Sequence, residues 1–334
     1  MLKKIIHLIP GLGATLVVSV IAYFLGSFLP IIGAAVFGIV IGILLRNLIH
    51  IPVSFHLGIG FSAKRILQLS IIMLGGTLSL GQIAKTGTSS FFVMLFTISA
   101  AFITAFAIGK LMKAPTPLTS LIGVGTAICG GSAIAAVSSV INSDEHDISY
   151  SISTIFLFNV IAVLIFPPLG HLLGLSNYGF GLFAGTAIND TSSVVAAGYT
   201  FSNQAGDFAT IVKLTRTTMI IPVSLAFMVY VLVSRKKEAG KAMHFNLVKI
   251  FPWFILGFIG MAVVNSAGVI QPGMSSVIKE SAKFMIVMAL SAIGLRTDLK
   301  RMFQTGPKPL LLGAIVWAAV TVTSLAVQGL THQV

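Results

Sequence analysis

The stretch GTAINDTSSVVAA, residues 185–197, decides how the rest of the chain is read. Its flanks, YGFGLFA before it and GYTF after it, are apolar enough to lie in lipid, yet its middle is a polar run that includes Asp190. A charge held deep in a bilayer costs roughly 2.5–3.5 kcal/mol or more. Asp190 therefore needs a partner, a water-filled cavity or a proton. Asp190 is expected about twelve residues from either end of its helix, near the membrane midplane at about 1.5 Å per residue.

The composition around it supports that setting. The chain has 334 residues, of which 56% are hydrophobic and only 9% charged, and its mean hydropathy is +1.02. Soluble domains carry about 25% charged residues. A chain this poor in charge cannot cover a water-facing surface, so the expected fold class is an all-α polytopic membrane protein, with the lipid bilayer as its surroundings. Cys129 is the only cysteine, which excludes an intramolecular disulfide and a cysteine-cluster metal site. No HExxH pattern and no GxxxxGK[ST] phosphate loop occurs, so neither zinc hydrolysis nor ATP-driven pumping by this chain is expected. No cofactor is expected beyond Na⁺ or H⁺ as a coupling ion.

About eleven segments reach the roughly 20 residues that a span requires. They lie near 11–29, 31–49, 64–82, 90–109, 118–141, 149–172, 178–201, 208–233, 250–270, 281–297 and 308–330. We read 1-334 as a single transmembrane domain of inverted-repeat halves, about 1-141 and 178-334, joined by helix 149-172. With a cytoplasmic N-terminus, 16 of the 21 Lys and Arg residues fall on the cytoplasmic side, as the positive-inside rule requires. The acidic segment NSDEHDIS, 142–149, then falls outside. The net charge of +13 is thus a topology signal, and nucleic acid is not an expected partner. Lys213 and Arg216 alone remain inside a span.

Two internal likenesses stand out. SAKRILQLSIIMLGGTLSLGQIAKTG (62–87) resembles SAKFMIVMALSAIGLRTDLKRMFQTG (281–306), and the charge pattern makes the two run in opposite directions, as inverted repeats of transporters do. GTAICGGSAIAA (125–136) resembles GTAINDTSSVVAA. With eleven spans these two run in the same direction, so either one is a re-entrant hairpin or the likeness is convergent.

The candidate site is built from these pieces. Gly130-Gly131 inside a helix costs about 1 kcal/mol per glycine relative to alanine, and such a pair breaks helices. A break bares backbone N–H groups, which with Ser132 form an anion site. Lys213 and Arg216, three apart on one helical face, can neutralise an anion, and Arg216 can pair with Asp190. Thr191, Ser192 and Ser193 add hydroxyls. We therefore assign substrate binding to Gly130, Gly131, Ser132, Thr191, Ser192, Ser193, Lys213 and Arg216, and ion coupling to Asn189, Asp190, Thr126 and Asn159.

At these residues the chain resembles a known family. GTAICGGSAIAA, AINDTSSVVAAG, VKLTR and SAIGLRTDL together resemble the YeiH-type family of bacterial sulfate exporters, over nearly the whole chain. The resemblance implies a multi-pass transporter of the bacterial inner membrane and distant kinship with the cation:proton antiporter and anion transporter superfamily. Members of that superfamily carry inverted repeats, a panel domain, and a core with crossed, broken helices.

The leading expectation is an ion-coupled secondary transporter, an exporter by the resemblance, that moves a small anion such as sulfate or an organosulfonate by alternating access. A homodimer is compatible with this. The alternative is a cation/proton antiporter with Asp190 as carrier site. An intramembrane enzyme or sensor is disfavoured, since Ser192 and Ser193 have no deep histidine near them in sequence.

Overall fold

Helix is the one local structure that satisfies every backbone group of an isolated apolar segment in lipid, and among the described residues each apolar segment is helical. The structure is a computed structural model that describes residues 7–29, 33–141, 143–234 and 252–333. In chain order the helices are α1 (Ile9–Phe28), α2 (Ala34–Leu48), α3 (Val53–Gly75, with a π-helical turn at Ser62–Ile66), α4 (Leu80–Leu111), α5 (Thr116–Ala127) and α6 (Gly131–Ile141). They continue with α7 (Glu145–Leu172), α8 (Asn177–Ala187), α9 (Thr191–Phe201), α10 (Asn203–Thr218), α11 (Ile220–Ser234), α12 (Phe254–Ser266), α13 (Pro272–Arg296), α14 (Leu299–Gln304) and α15 (Pro307–Leu330). Among the described residues, six stretches are long and apolar enough to cross a membrane on those grounds alone: α1, α3, α4, α7, the run Asn203–Val231 through α10 and α11, and α15. The all-helical polytopic architecture is as expected.

Both GTA segments are interrupted helices, and both turn back on themselves. The second is the clearer case. Asn177, at the start of α8, meets the residues that follow α9: Ser202 Oγ donates to Asn177 Oδ1 at 2.6 Å, and Asn177 Nδ2 donates to Gln204 Oε1 at 2.7 Å. Phe180 and Phe201 stack at 4.1 Å. Helix α10 lies along both arms, with Ala209 against Gly185 of α8 and also against Gly198 of α9. Segment 177–201 is therefore a hairpin whose tip is Ile188–Asp190.

The first hairpin follows from its neighbours. Gly109, near the end of α4, packs on Thr119 of α5, and Ala105 packs on Gly123, so α5 starts at the end of the molecule where α4 stops. At the other end of α4, Ser89 bonds to Tyr178 of α8 at 2.7 Å. Helix α8 thus starts at the opposite end, and the 28-residue α7 must cross between the two. It begins where α5 begins, so α6 has to return there, and it does, against α11. The two hairpins enter from opposite faces and meet tip to tip. This resolves their likeness: they are an inverted pair, and neither crosses the bundle.

The remaining helices fix the two faces. Arg46 pairs with Asp298 at 3.3 Å, and Asn47 donates to the Thr297 carbonyl at 3.0 Å. These residues, with Lys110 and Arg296, mark a basic face. Ser266 bonds to Leu80 at 2.9 Å on the other face. Helices α3 and α13 pack side by side and run antiparallel, in keeping with the likeness of 62–87 to 281–306. One expectation is corrected. Residues 143–149 lie on the basic face, not opposite it, because the hairpin before them fails to cross. Lys3, Lys4, Arg235, Lys236, Lys237, Lys241 and Lys249 lie outside the described residues.

Candidate functional site

A helix that stops in mid-bundle leaves carbonyls without partners at its C-terminus, together with a negative dipole end of about half a charge. Two such ends, those of α5 and α8, converge at the hairpin tips. Helix α10 supplies what they lack. Lys213 Nζ donates to the carbonyls of Ile128 at 2.7 Å and Ile188 at 2.9 Å. Arg216 donates through Nε to Ala127 at 2.5 Å, through Nη2 to Thr126 at 3.0 Å, and through Nη1 to Thr186. Both side chains are wholly buried.

The pairing follows the repeat. Ile128 and Ile188 are equivalent in the two GTA motifs, and so are Thr126 and Thr186. Each cation therefore bridges one carbonyl of the first hairpin to its counterpart in the second. The expected pair of Arg216 with Asp190 does not form: among the described residues no ion pair joins Asp190 to either cation. The helix C-termini hold both.

Asp190 does something else. It is the N-cap of α9, where its Oδ2 accepts from the Ser192 backbone N–H at 2.9 Å and from the Ser192 hydroxyl. It thus stands in an extended break, not inside a helix. Its Oδ1 accepts no hydrogen bond among the described residues, and the half-buried side chain faces a cavity. Asn159 of α7 holds the tip from behind, its Oδ1 accepting from the backbone N–H groups of Asn189 and Asp190, both at 3.1 Å. The amide of Asn189 is fully buried, and neither its oxygen nor its nitrogen has a partner among the described residues. The first tip is closed by Gly130. Its φ of +67° suits glycine, and a Cβ there would lie 3.6 Å from that of Asp190.

The cavity has a volume of about 560 Å³. Its walls are the early residues of α7, Ser149 to Phe156, and the segment Ile293 to Thr305. Both belong to the basic face. Its floor is Asp190 and Ser192 of the second hairpin tip. On the opposite face the same hairpin is tied to α13: Lys279 Nζ donates to Asp207 Oδ2 at 2.6 Å, and Tyr199 donates to Asp207 Oδ1 at 2.5 Å.

The other residues expected at the site divide into three groups. Ser192 is on the cavity floor, while Thr191 and Ser193 are buried beside it. Gly131 lies against Phe156, a cavity-wall residue, and Ser132 is exposed at the start of α6. Thr126 turns its hydroxyl back onto the Ile122 carbonyl at 2.9 Å and offers only its own carbonyl, to Arg216. Sequence reasoning missed Tyr150, Ser153 and Arg296 as cavity residues. Arg296 stands in SAIGLRTDL, where a C-terminal basic residue reads as a topology charge, and nothing local to it announces a cavity.

Comparison with known proteins bears on the whole chain. The family model for Conserved hypothetical protein 698 matches residues 10–313. The chain is 44% identical to a UPF0324 membrane protein of Clostridium tetani, over 97% of each chain. It is 45% identical to one of Fusobacterium nucleatum, over 92% of this chain and 93% of that one. It is 43% identical to one of Streptococcus agalactiae, over 96% and 97%.

Proposed function

The chain belongs to the Conserved hypothetical protein 698 family of membrane proteins, and from that premise we propose that it is an ion-coupled secondary transporter of a small anion, working by alternating access. The observation that carries this reading is the asymmetry around the second hairpin tip. A cavity reaches it from the basic face, while on the other face Lys279, Asp207 and Tyr199 tie the hairpin to α13. Under the positive-inside rule the basic face is cytoplasmic. The state described is then inward-facing, in a bacterial inner membrane with the N-terminus inside, and export is the direction in keeping with the sequence resemblance.

Charge bookkeeping favours an anion. Lys213 and Arg216 bring +2, two helix C-termini about −1, two helix N-termini about +1, and an ionised Asp190 −1, which leaves about +1 at the tips. Asp190, with its free Oδ1 on the cavity floor, is the group to exchange a proton or Na⁺ as the anion moves. The cation/proton antiporter remains the second reading, since the carboxylate reaches the cavity and the two deep cations do not.

Alternating access requires the tie on the opposite face to open. We expect a cleavable bifunctional thiol crosslinker joining Asp207→Cys and Lys279→Cys, its length matched to the span of the lysine side chain it replaces, to arrest anion exchange in proteoliposomes, and cleavage of the crosslink to restore it. Undiminished exchange with the crosslink formed would overturn the reading.

A further inference from the structure

We propose that the substrate is an organic monoanion with an apolar body, bound by Arg296, and not inorganic sulfate; this rests on the anion-transport reading above. The two buried cations are committed to carbonyls, so they do not meet a ligand in the cavity. Among the described residues that line it, Arg296 is the one cationic side chain. It is exposed there, and its guanidinium has no hydrogen-bond partner among the described residues. An acid group held by Arg296 has hydroxyls from Ser149, Tyr150 and Ser153 on the facing wall.

Charge and size set the rest. The floor carries Asp190, while Asp298 on the wall is already paired with Arg46. One free guanidinium balances one negative charge. A dianion would bring a second charge toward the Asp190 carboxylate, with no second cation among the described lining residues to meet it. The volume of about 560 Å³ is that of roughly nineteen waters at about 30 Å³ each, far more than a five-atom oxyanion fills. The space left over is walled by Leu67, Ile152, Phe156, Ile293 and Met302. These side chains give nothing to sulfate but bury an alkyl chain, and pockets of this size are ordinary for organic ligands.

The test is calorimetric titration of the purified full-length protein at constant ionic strength, with methanesulfonate, propanesulfonate, pentanesulfonate and sulfate as probes. Affinity is expected to rise about fourfold for each added methylene, the equivalent of ~0.8 kcal/mol. Sulfate should bind at least about tenfold more weakly than pentanesulfonate. Arg296→Gln should weaken pentanesulfonate about tenfold or more, as loss of a charged hydrogen bond does, with the unliganded melting temperature unchanged. Lys110→Gln, on the same face but outside the cavity, should bind as wild type does. Affinity independent of chain length, sulfate binding as tight as pentanesulfonate, or wild-type binding by Arg296→Gln would each overturn this inference alone. No binding by any of the four anions would overturn the anion reading as well.

Discussion

Arg216→Met is expected to cost the protein on the order of 3 kcal/mol or more and to leave little of it monodisperse in detergent. The substitution keeps an unbranched, flexible side chain but removes the guanidinium and so strips the donors from the carbonyls of Thr126, Ala127 and Thr186. A buried acceptor left without a partner costs about 1–3 kcal/mol, and here three are orphaned where water does not reach. The two hairpins also lose one of their two bridges, leaving only Lys213 between Ile128 and Ile188. Total stabilities are typically about 5–15 kcal/mol, so the loss is a large share. Arg216→Lys should recover part of it, because one ammonium can serve one or two of the three carbonyls. Denaturant titration of the purified variants measures the ranking wild type, Lys, Met. A Met variant as stable as wild type would mean that the clamp holds nothing.

Asp190→Asn should have the opposite profile, with stability kept and coupling lost. Asparagine caps helices about as well as aspartate, so α9 keeps its first turn and stability should move by no more than about 1 kcal/mol. The negative charge on the cavity floor is gone, and with it the group proposed to take the coupling ion. Flux in proteoliposomes should then stop following the imposed proton or Na⁺ gradient. Asp190→Ala separates the two effects, since it should lose coupling and also about 0.5–2 kcal/mol from the missing cap. Wild-type ion dependence in Asp190→Asn would remove Asp190 from the mechanism.

Much of this architecture is legible in the sequence. The charge-poor composition dictates helices, Gly130-Gly131 marks a break, and the two GTA motifs announce a repeat. The hairpins are not legible, for a definite reason. A straight broken span and a re-entrant pair of half-helices have the same length and hydropathy, and orientation is read only from Lys and Arg. The segments that change face when both hairpins turn back, 143–149 and 173–177, contain neither residue. The charge pattern is the same for both topologies. What separates them is the meeting of Asn177 with Ser202, a contact that no local window contains.

The partner of Arg216 was hidden in a different way. A broken helix creates a C-terminus as well as an N-terminus. Attention to the bared N–H groups and to the one deep carboxylate overlooks the carbonyls left behind on the other half-helix. Once two such ends converge, two buried cations have a full set of acceptors and Asp190 is free to face the cavity. The cavity itself joins α7 to the α13–α14 segment, more than a hundred residues along the chain, and Arg296 becomes a candidate only when that join is seen.

The most direct test of the account is the reactivity of a single cysteine at Ser153→Cys, on the cavity wall, in a chain whose buried Cys129 is replaced by alanine. A membrane-impermeant thiol reagent is supplied to one face at a time. The account predicts rapid labelling from the face that carries Lys110 and Arg296, slow labelling from the other, and a shift toward the other face when Lys279→Gln removes the tie to Asp207. Equal labelling from both faces in the intact protein would describe an open channel, and labelling from neither would describe a dry bundle; either result contradicts a carrier with one face open at a time.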